Sequence, residues 1–105
     1  MMQGDLFRDE GIAKAAQSAE EKSPGWGERA LAMLLQYPHD TFMAEQLREW
    51  AHKNGLEEPT HFRAWGSVII TAKKRGLIRH AGYGRVENPN AHRTPASIWR
   101  KVNFP

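Results

Sequence analysis

A chain of 105 residues with 40% hydrophobic content and four tryptophans can build one domain around a small core. It has no cysteine, which excludes disulfides, cysteine-based zinc sites and a thiol nucleophile. No run approaches the length of a membrane span and no apolar signal segment follows the opening Met-Met-Gln-Gly-Asp, so a soluble, cytoplasmic protein is expected.

The net charge of +3 hides an asymmetry. Residues 1–23 carry five acids against three bases, whereas residues 73–105 carry eight bases (Lys73, Lys74, Arg75, Arg79, Arg85, Arg93, Arg100 and Lys101) against the single acid Glu87. An even basic excess would mean only solubility. One gathered at the C-terminal end is an electrostatic footprint for a polyanion.

The first segment, Asp5 to Lys22, favours helix through its Ala, Glu and Lys content. Ile12, Ala16 and Ala19 give it a thin apolar line, interrupted by Gly11, so a weakly anchored helical arm over residues 1–23 is expected ahead of a domain at 24–105. Ser23-Pro24 reads as an N-cap followed by proline in the first turn. Trp26, Ala30, Met33, Leu34 and Tyr37 then form one helical stripe, ended by Pro38. His39 to Phe42 is a link with room for a short strand. The next helix runs from about Met43 to Asn54 with Leu47, Trp50 and Ala51 inward, and Gly55 suits its left-handed cap.

A third helix of this domain is expected over Thr60–Arg75, ended by Gly76, with Phe62, Trp65, Ile69 and Ala72 inward. Its other face would carry Arg63, Ser67, Ile70, Thr71 and Lys74. Gly66 inside it costs helix propensity and leaves room for close approach of the preceding helix. Strands Leu77–Tyr83 and Ser97–Val102 would pair antiparallel, with Trp99 beside Tyr83, across a long loop from Gly84 to Ala96 marked by Asn88-Pro89-Asn90 and Pro95. The expected fold is mainly α with a small β-hairpin.

A helix braced by a second one can enter the major groove of DNA and present side chains to base edges. Arg63 can fork to a guanine; Ser67 and Thr71 can reach bases or phosphates; Lys73, Lys74 and Arg75 suit the backbone and complement the helix dipole. His61 stands at the start of this helix. Arg85, Asn88, Asn90, His92 and Arg93 on the loop can reach the backbone or the neighbouring minor groove. The five histidines have no ligand spacing, no phosphate-cradling glycine loop is present, and no catalytic constellation emerges, so no metal, no cofactor and no enzyme activity are expected.

Residues 24–102 resemble a winged helix-turn-helix domain, a three-helix core with a C-terminal two-stranded wing, here with an extra N-terminal helix. They are similar to small winged-helix proteins of phage and prophage genomes through Ser23 to Ala30, Ala64-Trp65-Gly66, Arg75 to Ile78, Gly82-Tyr83 and the run Pro89 to Pro95 before Ile98-Trp99-Arg100. The resemblance implies binding to double-stranded DNA, in regulation or replication, without catalysis. A different reading is a protein-interaction module whose wing and acidic N-terminal helix dock on a replication, transcription or defence protein. The two readings can be combined if the N-terminal helix recruits a partner to DNA.

Overall fold

The computed structural model describes residues 10–85 and 95–102; of Glu10, Arg85 and Pro95 only the backbone is described. In chain order the elements are helix α1 (Glu10–Lys22), helix α2 (Trp26–Gln36), strand β1 (Thr41–Met43), helix α3 (Ala44–Lys53), helix α4 (Ala64–Lys74), strand β2 (Ile78–Arg85) and strand β3 (Pro95–Lys101). The described residues thus form a mixed α/β fold of four helices and one antiparallel sheet, with β3 central in the order β1-β3-β2. The expected hairpin is therefore part of a three-stranded sheet. The link after Pro38 supplies the third strand, pairing Phe42 with Trp99 and Met43 with Ile98.

One core joins all the layers. Trp26, Ala30, Leu31 and Leu34 of α2, Leu47 and Ala51 of α3, and Ala64, Trp65, Val68, Ile69 and Ala72 of α4 meet Phe42, Ile78 and Trp99 of the sheet. Trp26 and Trp65 contact edge to face at a centroid distance of 5.3 Å. Both α3 and α4 stop in the same way. A glycine with positive φ, Gly55 or Gly76, donates to the carbonyl of His52 or Lys73, and the leucine after it donates to Ala51 or Ala72. That is the double hydrogen bond of a Schellman stop, and a residue with a Cβ would adopt the required backbone at a cost.

Several expectations are corrected. The first helix is not a weakly held arm. Ala15 and Ala19 lie in the core, Ile12 is buried, and Ala16 is only half-buried. Ile12 sits on Gly66 of α4, where an added Cβ would come within 3.1 Å of the isoleucine Cδ1. The close approach at Gly66 is thus made by α1, not by the preceding helix. Nor do Ser23 and Pro24 cap α2. Its N-cap is Gly25, in the left-handed region at φ 83°, and the free amides are taken by Glu20, whose carboxylate accepts from Gly25 N–H at 2.8 Å and Gly27 N–H at 2.7 Å. Those two amides, Gly27 first, hold the Glu20 carboxyl below its ordinary range. Ser23 Oγ and the Pro24 carbonyl instead receive the Arg29 guanidinium.

Helix α4 begins at Ala64, four residues later than expected, because residues 60–63 form turns. Phe62 therefore leaves the core: it is 64% exposed, with the Arg48 guanidinium carbon 5.2 Å from its ring centroid. Across the sheet, Trp99 faces His80, not Tyr83. A register shift between His80 and Gly82 moves Tyr83 opposite Ser97, where it is 70% exposed.

Candidate nucleic-acid interface

Three hydrogen bonds hold the segment that leads into α4. Trp26 Nε1–H donates to the Glu57 carbonyl at 2.7 Å, Lys22 Nζ donates to the Glu58 carbonyl at 3.2 Å, and His52 Nδ1 lies 2.9 Å from the Leu56 carbonyl. Trp65 Nε1–H donates to the other ring nitrogen of His52 at 3.1 Å. That nitrogen must be the acceptor, so the proton sits on Nδ1 and is donated to Leu56. His52 thereby ties the end of α3, the turn and the first residues of α4 together. Replacing His52 by Leu leaves the buried Trp65 N–H without its acceptor, and a loss of about 1–3 kcal/mol is expected in urea unfolding. A loss under about 0.5 kcal/mol would show that the bridge does not hold the turn.

The predicted contact residues separate into four groups. His61 and Arg63 are exposed at the entrance to α4, with Arg63 at its N-cap position rather than on the helical face. Lys73 and Lys74 are exposed in its last turn. Ser67, Thr71 and Arg75 stand differently from expectation. Ser67 and Thr71 are half-buried and line a cleft of about 360 Å³ with Ala16 and Glu20 of α1 and Glu28 of α2. Two carboxylates beside two hydroxyls make a poor seat for a phosphate. Arg75 is exposed but points one guanidinium nitrogen to Glu28 at 3.4 Å, an exposed pair of the kind that contributes under about 1 kcal/mol. The fourth group is the wing. Arg85 ends β2, and Asn88, Asn90, His92 and Arg93 lie outside the described residues.

Helices α1 and α2 together cause the half-burial, since both line the cleft around Ser67 and Thr71. Helix α1 packs on α4 with Ile12 over Gly66. The arrangement therefore leaves a basic end on α4, a partly covered middle and the exposed Arg63 before its start.

The basic C-terminal third also divides once folded. Lys101 spends its charge inside the molecule, donating to the carbonyls of Leu35 and Tyr37 at the end of α2, where a cation complements the helix dipole. Arg79 and Arg100 stay exposed and stand opposite each other on β2 and β3. Sequence reasoning counted both in the charge excess but did not place them together, because their pairing depends on the register. No group of three or more potential metal ligands exists among the described residues, and none of their helices is long and apolar enough to cross a membrane. Compared with protein-family models, curated proteins and solved structures, the chain matches none.

Proposed function

We propose that the chain is a non-catalytic DNA-binding protein of winged-helix type, a phage or prophage regulator or replication accessory factor. In this reading α4 approaches the major groove and the wing at 84–96 contacts backbone or minor groove. The observation that carries it is the element order after α1: helix, strand, helix, helix, strand, strand, with the last strand inserted between the other two. Such an order sets a helix-turn-helix pair beside a hairpin, and here the second helix ends on the exposed Lys73 and Lys74 and leads directly into that hairpin. Arg63, Lys74 and the wing's Arg93 supply the cations in this reading.

Fluorescence anisotropy with a labelled mixed-sequence duplex, at low and physiological salt, tests it. Binding in the micromolar range at low salt is expected, weakening steeply as salt rises because phosphate contacts release counterions. The triple Ala variant of Arg63, Lys74 and Arg93 is expected to lower the slope of log affinity against log salt by about 3. No binding at low salt would favour the other reading, docking on a replication, transcription or defence protein.

A further inference from the structure

We propose that Arg79 and Arg100 form a phosphate-gripping pair on the outer face of the sheet, extending the nucleic-acid contact beyond α4 and the wing. The inference rests on the DNA-binding reading above and adds a surface to it.

The pairing register places Thr41, Arg100 and Arg79 in one row across all three strands. Alternation along a strand then decides which way they face. Trp99, next to Arg100, is 3% exposed, and Ile78, next to Arg79, is buried; both belong to the core. The two arginines therefore point to the opposite face, and both are exposed. Directly opposed residues on antiparallel strands have Cβ atoms roughly 4.5–5.5 Å apart, and like charges at that separation destabilise the pair. Neither arginine has a carboxylate partner among the described residues.

The next row on the same face is apolar. Met43 and Ile98 are paired and half-buried, and both reach over Gly84, where an added Cβ would meet Ile98 Cδ1 at 3.0 Å and Met43 Sδ at 3.4 Å. Two guanidinium groups with no carboxylate partner among the described residues thus stand beside an apolar floor, where attraction for an anion is less screened than in open water. Guanidinium forks fit phosphate oxygens in a bidentate manner that lysine cannot reproduce. Charge complementarity commits the occupant to a nucleic-acid backbone. Arg79 follows Lys74 by five residues through the Gly76 stop, so the cations at the end of α4 and those of the sheet lie along one short stretch of chain.

Replacing Arg79 by Glu tests the pair, because stability and binding should move in opposite directions. The substitution turns a like-charge pair into an opposite-charge one, so the melting temperature is expected to hold or rise. Both phosphate contacts are lost, since the remaining Arg100 is neutralised by its new neighbour. Affinity for the labelled duplex should fall at least about tenfold at low salt, and the salt slope should drop by about 2. Arg100→Glu, the same exchange on the central strand, must give the same result. Arg79→Gln should lower the slope by about 1. Wild-type binding that both charge reversals leave unchanged would overturn the subsite and keep the DNA reading, whereas no wild-type binding at low salt would overturn the DNA reading and the subsite with it. Loss of binding to polyglutamate, with duplex binding intact, would also overturn the subsite, assigning the pair to an acidic protein.

Discussion

Replacing Trp26 by Ala is expected to remove about 3–5 kcal/mol of stability, the cost of emptying a large buried aromatic site. The side chain is 2% exposed and sits where α2, α4 and the turn before α4 meet. Three losses coincide there: the buried area, the edge-to-face contact with Trp65, and the hydrogen bond from Nε1–H to the Glu57 carbonyl. The aromatic contact alone is worth about 0.5–1.5 kcal/mol beyond its area. Small domains are stable by about 5–15 kcal/mol in total, so the variant should unfold at a melting temperature lower by tens of degrees or fail to fold. Trp26→Phe separates the contributions: it keeps a ring against Trp65 and loses the hydrogen bond, and about 1–2 kcal/mol is expected. Thermal melts followed by circular dichroism decide it. A drop of only a few degrees in Trp26→Ala would mean that the layers are not joined at this residue. The functional link is direct, because the residue that fills the core also fixes the turn from which α4 departs.

The stripes of α2, α3 and α4 were legible because large apolar residues recur there at helical spacing, and both helix stops were legible because Gly55 and Gly76 follow the last periodic residue. Helix α1 gave a weaker signal. Its inward side chains are mostly alanines, and an alanine is buried or exposed according to what packs on it, here a helix carrying glycine at position 66. Glu20 carries no capping signal in the sequence, since its role as a cap depends on the chain turning back at Gly25. Phe62 faces inward only on a helix that begins at Thr60, and α4 begins at Ala64. Strand β1 has three residues, too few for alternation to speak. The Arg79–Arg100 pair required a register that a long loop does not fix and a bulge then shifts. Of the candidate interface, the basic end of α4 was legible. The acidic, half-covered setting of Ser67 and Thr71 was not, because it comes from two other helices.

That covering makes the second large prediction. A helix with its side chains is about 10–12 Å across, and the major groove of B-DNA is about 12 Å wide, so the groove admits α4 alone but not α1 and α4 side by side. Full insertion of α4 therefore requires α1 to leave Gly66. The apolar part of the seat is small, one isoleucine and two alanines, and burying an isoleucine stabilises by about 1.5–3 kcal/mol. A ligand can draw on an interaction of that size, and removing it in advance raises the apparent affinity by up to that amount. Ile12→Asp is accordingly expected to lower the melting temperature by several degrees and to strengthen duplex binding about tenfold, the equivalent of about 1.4 kcal/mol. The salt slope should steepen as α4 gains phosphate contacts that α1 had held off. The added negative charge works against DNA, so Ile12→Ser, which loosens the seat without it, should bind at least as tightly. Unchanged affinity in both variants would mean that α1 stays in place on DNA, with contact confined to the ends of α4, the wing and the sheet arginines.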